Sequence, residues 1–134
     1  MIAVDASALL SVLLQEPGWE AFENAMIEAG GGVVSPASVL EATMRLMLRG
    51  DEGLDQEVDA LLDQMCLTVV PVDIEQLDAA RAGFRAYGKG TGHPAKLNFG
   101  DCFSYALAKT RDLPLLYKGN DFNQTDVRSA LQEM

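Results

Sequence analysis

Short apolar runs at 2–4, 33–34, 67–72 and 115–117 alternate with longer stretches whose apolar residues recur at helical spacing. That alternation predicts an α/β fold with a mostly parallel central sheet flanked by helices on both faces. At 134 residues and 49% apolar content, the chain is long enough for one compact core and too short for two. A single domain over 1–134 is therefore expected, and the chain holds no internal repeat, low-complexity segment or linker.

Local signals place the helices between these runs. Ser7, just after Asp5, reads as the cap of a helix reaching Leu14, and Pro17 with Gly18 then punctuates the chain. A helix over 19–29 stops at Gly30, Gly31 and Gly32, whose freedom to take left-handed backbone ends it before the second strand. Ser35 and Pro36 open a helix expected to reach Arg49 and stop at Gly50. Over 54–65, Leu54, Val58, Leu61, Leu62 and Met65 share one helical face. A helix over 74–87 leads into the turn-rich run 88–94, read as a loop beside the site, and Asn98 to Asp101 begin a helix reaching about 110.

Against this frame, four acids fall where separate segments turn: Asp5 ends the first strand, Glu41 lies early in a helix, Asp101 opens another, and Asp121 follows the last strand. In a parallel sheet those places converge on one rim, where open sheets of this kind bind ligands. Carboxylates gathered there without basic partners repel one another and raise each other's pKa values unless a cation joins them. The reading that follows is a site for hard divalent cations, Mg²⁺ or Mn²⁺, which prefer oxygen ligands. A water bound to such an ion has a lowered pKa and can attack phosphorus, which suits phosphodiester hydrolysis.

Charge pulls the other way. A formal net charge of −10 argues against non-specific phosphate binding. The ten Lys and Arg are nonetheless partly grouped. Arg81, Arg85 and Lys89 stand at four-residue steps, with His93 and Lys96 beyond, and form a candidate local basic rim for a phosphate backbone. Arg45 and Arg49, on the helical face of Glu41, are further candidates for phosphate or partner contacts. Cys66 and Cys102 match no metal-ligand spacing and are expected as buried free thiols. The apolar stretch 2–14 contains Asp5 and lacks a basic flank and a cleavage site, so a cytoplasmic protein without a membrane segment is expected.

The blocks VDASALL at 4–10, SVLEA at 38–42, LNFGDCFSYALAK at 97–109 and LLYKGNDFNQTDV at 115–127 resemble, in order and spacing, the signature blocks of PIN-domain ribonucleases, above all the VapC toxins of bacterial toxin-antitoxin modules. The resemblance covers essentially the whole chain. It implies that Asp5, Glu41, Asp101 and Asp121 are the catalytic, metal-binding acids, that Ser7 supports the first acid, and that Asn120 and Asp126 flank the last. It further implies Mg²⁺- or Mn²⁺-dependent endonucleolytic cleavage of RNA, a homodimer, and neutralisation by a cognate antitoxin.

Blander readings stand beside these. A lone acid at a strand end or helix start is more often a cap, and it is the coincidence of four that changes the balance. His93 belongs to a Gly-Pro loop, and the GKGTG run at 88–92 follows a helix, not a strand, so it is a turn and not a dinucleotide fingerprint. A phosphoacceptor receiver domain would also place acids such as Asp5 and Asp73 at strand ends and a late lysine such as Lys118, but it wants an acid pair where Ala6 follows Asp5. A haloacid-dehalogenase-type phosphatase wants an aspartate where Ser7 stands. A non-catalytic interaction domain of PIN fold is the remaining alternative. Finally, the helix beginning at Pro36 is apolar around most of its circumference, which predicts cover by a neighbouring helix, a second copy or an antitoxin.

Overall fold

The computed structural model describes residues 1–50 and 54–131. Strands β1 (Ile2–Val4), β2 (Gly32–Val34), β3 (Leu67–Val69) and β4 (Leu115–Leu116) form a wholly parallel sheet in the order β3-β2-β1-β4. Helices α1 (Ala6–Leu13), α2 (Trp19–Ala29), α3 (Pro36–Met47), α4 (Leu54–Gln64), α5 (Ile74–Tyr87) and α6 (Phe99–Arg111) connect and cover it, and a short 3-10 helix (Asp121–Gln124) follows β4. From β1 the chain builds outward through β2 to β3 and then returns to place β4 on the other side of β1. That reversal opens a crevice at the carboxyl ends of β1 and β4, the segments that lead into Asp5 and Asp121.

Strand side chains alternate between two cores, as a period of two requires. Val4, Val34 and Leu116 point into one core with Leu9, Met26, Leu46 and Val58 from α1 to α4. Ala3, Val33 and Leu115 point into the other with Tyr105, Leu107 and Ala108 of α6 and Leu97 of the preceding loop. Helices thus cover both faces, as the alternation of elements predicted. Val58, Leu61 and Leu62 bury the inner face of α4, whereas the Leu54 side chain lies outside the described residues.

Several boundaries differ from expectation for identifiable reasons. Asp5, not Ser7, is the cap of α1: its backbone is extended and its carboxylate accepts from the Ser7 amide, while Ser7 itself is helical. β3 ends at Val69 and not at 72, because Pro71 has no N–H to continue the ladder after Val70 donates to Val34. α3 stops at Met47, short of Arg49, as the chain tightens into turns that end on left-handed Gly50. Cys102 is buried as expected, but Cys66 is exposed, held at positive φ in the turn between α4 and β3. Among the described residues no helix is long and apolar enough to cross a membrane.

Candidate active site

Asp5 is the buried centre of the rim. Its Oδ2 accepts from the Ser7 amide at 3.0 Å and the Ser7 hydroxyl at 2.6 Å, and its Oδ1 accepts from the Ser104 hydroxyl at 2.5 Å. The Ser7 hydroxyl also accepts from the Lys118 amide at 2.9 Å, tying the start of α1 to the segment that leaves β4 for Asp121. Ser38 of α3 lies 3.1 Å from Ser104 of α6, hydroxyl to hydroxyl. Asp5 is thereby bonded to α6 and, through Ser104, linked to α3, the helices that carry Asp101 and Glu41.

Asp101 sits in a reciprocal capping box at the start of α6. Its carboxylate accepts from the Asn98 amide, and the Asn98 side chain accepts from the Asp101 amide. Glu41 reaches this same turn from α3. Gly100 is what admits it, since a Cβ built there would overlap the Glu41 Oε1 atom. Two of the acids, Asp101 and Glu41, are shifted by burial and by the charges beside them. Burial foremost pushes the Asp101 carboxyl up to about 6; the Asn98 hydrogen bond opposes this, and the charges of Asp5, Asp121 and Glu41 add to it. Glu41 is raised by burial and then by Asp5, against the lowering pull of Arg45.

The structure thus brings Asp5, Glu41, Asp101 and Asp121 into one electrostatic cluster. Among the described residues no three such side chains are close enough to enclose an ion directly. The donor set is nevertheless all oxygen, and Mg²⁺ takes only one or two carboxylates while keeping several of its waters. Residues of this chemistry fit a hydrated hard cation, with a cradle at Gly100 open for the Glu41 carboxylate.

The flanking residues are placed differently. Asn120 precedes Asp121 and its side chain accepts from Asn123 at 3.3 Å. Asp126 accepts from Tyr105 at 2.8 Å and pairs with Lys109 at 3.0 Å, so its partners bind the C-terminal segment to α6 and include none of the four acids. Burial raises the Asp126 carboxyl, but Lys109 and Tyr105 together hold it below its ordinary value. Arg81 and Arg85 border a groove of about 600 Å³ between α5 and α6, lined also by Leu77, Phe84, Phe99 and Phe103. Lys89 and Lys96 are exposed on the following loop, and Arg45 lines a smaller groove with Glu41, Met44 and Phe99. Arg49 is exposed beyond the end of α3. His93 stacks edge-on against Tyr87 and accepts from the Ala95 amide, which shapes the loop. Ser38, Gly100 and Ser104 escaped the sequence reading, because each matters through a contact with a distant segment.

This sheet order, with acids at the strand ends and helix starts of one rim, is that of a PIN domain, and the chain belongs to that family: the PIN domain family model matches residues 2–128. Among relatives, it is 44% identical to VapC ribonuclease Mb0640 of Mycobacterium bovis and to Ribonuclease VapC30 of Mycobacterium tuberculosis, covering 96% of this chain and 98% of each relative. It is likewise 44% identical to Ribonuclease VapC of Mycolicibacterium smegmatis, over 96% of this chain and 99% of that one. A solved structure, a toxin-antitoxin complex from Klebsiella pneumoniae, has the same fold with a TM-score of 0.62 at 17% identity, over 91% of this chain and 90% of that one.

Proposed function

We propose that the chain is a cytoplasmic, VapC-type endoribonuclease toxin that hydrolyses RNA phosphodiester bonds and is neutralised by a cognate antitoxin. The ribonuclease reading is supported by relatives of that name along nearly the full chain. The observation that carries the mechanism is the convergence of four carboxylates on one rim, where burial and then the neighbouring acids raise the carboxyls of Glu41 and Asp101. A cluster that repels itself in this way gains most from a divalent cation, and Asp5, Glu41, Asp101 and Asp121 are the residues that would hold Mg²⁺ or Mn²⁺. When bound, such an ion supplies an activated water and stabilises charge on the oxygens of an in-line displacement.

The chain's own part is orientation. Ser7 holds Asp5, the Asn98 capping box holds Asp101, and Gly100 leaves room for Glu41. Arg81, Arg85, Lys89 and Lys96, or Arg45 and Arg49, are the candidates to receive the RNA backbone. Partner binding falls to the outer face of α3, where Leu40, Met44, Met47 and Leu48 are exposed, a larger apolar surface than scattered single residues account for. This is the surface for the antitoxin or a second copy in a homodimer. The test is cleavage of RNA by the purified chain with Mg²⁺, with Mn²⁺ and with chelator, followed by sequencing of the RNA ends. Metal-dependent cuts that vanish in Asp101→Asn support the reading; cleavage that survives both chelator and the substitution refutes it.

A further inference from the structure

We propose that Ser38 and Ser104 form a one-way hydroxyl relay that positions Asp5, leaving one side of its Oδ1 without a protein donor for a cation to use; this rests on the metal-site reading above. The direction follows from counting protons. Ser104 has one hydroxyl hydrogen, which the carboxylate of Asp5 takes at 2.5 Å. The 3.1 Å contact with Ser38 can then be a hydrogen bond only if Ser38 donates and Ser104 accepts. A donor that is itself hydrogen-bonded as an acceptor is polarised, so the bond from Ser104 to Asp5 is strengthened by Ser38.

Occupancy of the carboxylate fixes where it is open. An ionised carboxylate offers about four lone-pair directions. The two Ser7 donors fill Oδ2 and Ser104 fills one side of Oδ1, leaving the other side of Oδ1. Ser38, Ser104 and Asp5 are 3%, 1% and 6% exposed, so solvent does not compete for these bonds. The relay also sets spacing between elements. Ser38 lies one helical turn before Glu41 on α3, and Ser104 one turn after Asp101 on α6. A single chain of hydrogen bonds therefore joins the three segments bearing Asp5, Glu41 and Asp101. Both serines are positioning residues, acting on the ion only through Asp5.

The experiment measures Mn²⁺ binding directly, by the electron paramagnetic resonance signal of the free ion, beside RNA cleavage at saturating Mn²⁺, in Ser104→Ala, Ser38→Ala, the double variant and Ser104→Thr. Outer-sphere hydrogen bonds to metal ligands are worth roughly ten- to a hundredfold in affinity. Ser104→Ala is expected to weaken Mn²⁺ binding on the order of tenfold. Ser38→Ala is expected to weaken it less, and Ser104→Thr, which keeps the hydroxyl, to restore it. Since Ser38 works only through Ser104, the double variant should bind as Ser104→Ala does. KM for RNA should stay unchanged while kcat falls. Folded Ser104→Ala that binds Mn²⁺ as the wild type overturns the relay, and so does an additive double variant. If Ser104→Ala does not fold, Ser38→Ala against Ser104→Thr decides: equal, wild-type Mn²⁺ affinity in both refutes the proposal. Wild-type protein that binds no Mn²⁺ would instead refute the metal site itself, a result the serine variants cannot produce.

Discussion

Replacing Gly100 by alanine should separate function from stability in this fold. Gly100 lies in the first turn of α6, and a Cβ there would meet the Glu41 carboxylate, with Asn98 Oδ1 at 3.6 Å the next residue in reach. The obstructed group is the end of a flexible side chain, so Glu41 swings aside at little cost to the fold. Alanine in a helix gains up to about 1 kcal/mol over glycine. The net effect on stability is therefore between zero and roughly 1 kcal/mol in favour of the variant, a rise in Tm of no more than a few degrees. Activity should move the other way, because displacing a catalytic group by about 1 Å can cost on the order of a hundredfold in rate. The assay is cleavage of RNA at saturating Mg²⁺ or Mn²⁺ beside a thermal melt of the same preparation. A Gly100→Ala protein that melts at or above the wild type and cleaves at the wild-type rate would refute the cradle, and with it the placement of Glu41 in the site.

The same substitution one helix away gives the opposite signature: at Gly83 a Cβ would run into the Tyr105 ring at 2.6 Å, so Gly83→Ala should cost about 1–3 kcal/mol while cleavage per folded molecule is kept, as read by denaturant titration and active fraction. Asp5→Asn, Glu41→Gln, Asp101→Asn and Asp121→Asn should each weaken Mn²⁺ binding and cleavage; Glu41→Gln and Asp101→Asn should leave the metal-free fold as stable or more so, since each removes a charge that burial and its neighbours disfavour, whereas Asp5→Asn should cost about 1 kcal/mol, since it takes away one of the two oxygens that accept from Ser7 and Ser104; calorimetry and melting check both halves. The raised Asp101 carboxyl keeps its proton in the folded chain up to about 6 and loses it near 3.8 when unfolded, so its contribution is complete below pH 3.8 and lost as pH rises through 6. Metal-free Tm should thus carry a destabilising component between these values that Asp101→Asn removes, and an unchanged profile in that variant counts against the cluster. Neutralising Arg81, Arg85, Lys89 and Lys96 together should flatten the salt dependence of RNA binding by a silenced variant without changing Mn²⁺ affinity; an unaltered slope transfers the track to Arg45 and Arg49.

How much of this was legible in the chain depends on how local each signal is. The glycine stop at Gly30, the Ser35 cap with Pro36 behind it, and the alternation of elements are written in a few neighbouring residues, and the structure has them in place. Two cores were implied by the same alternation, since a sheet buried on both faces needs both sides of each strand to be apolar. Strand ends were less legible. Whether Val70 continues a ladder depends on its partner strand, and Pro71 decides it only once β2 is known to lie alongside. Asp5 and Ser7 are both good caps, so the choice between them rested on where α1 begins.

The site divides along the same line. Acids declare themselves, because a carboxylate at a strand end or helix start is conspicuous wherever the sheet brings it. The groups that orient them do not. Ser104 reads as one more polar residue on a helix, and only the approach of α6 to β1 turns it toward Asp5 across 99 positions of sequence. Gly100 reads as a modest defect at the start of α6 until Glu41 arrives from α3. Asp126 shows the converse, a conspicuous acid beside Asp121 in sequence whose partners are Lys109 and Tyr105. The net charge is reconciled in the same tertiary terms. Glu20, Glu23 and Glu28 lie on α2, and Glu57, Asp59 and Asp63 on α4, in helices that share the core opposite α6, while Arg81 and Arg85 face the groove beside α6. Those six acids stand apart from the groove, and at about 0.1 M salt, charges more than roughly 10 Å apart are largely screened, so the net charge does not by itself oppose the proposed RNA track.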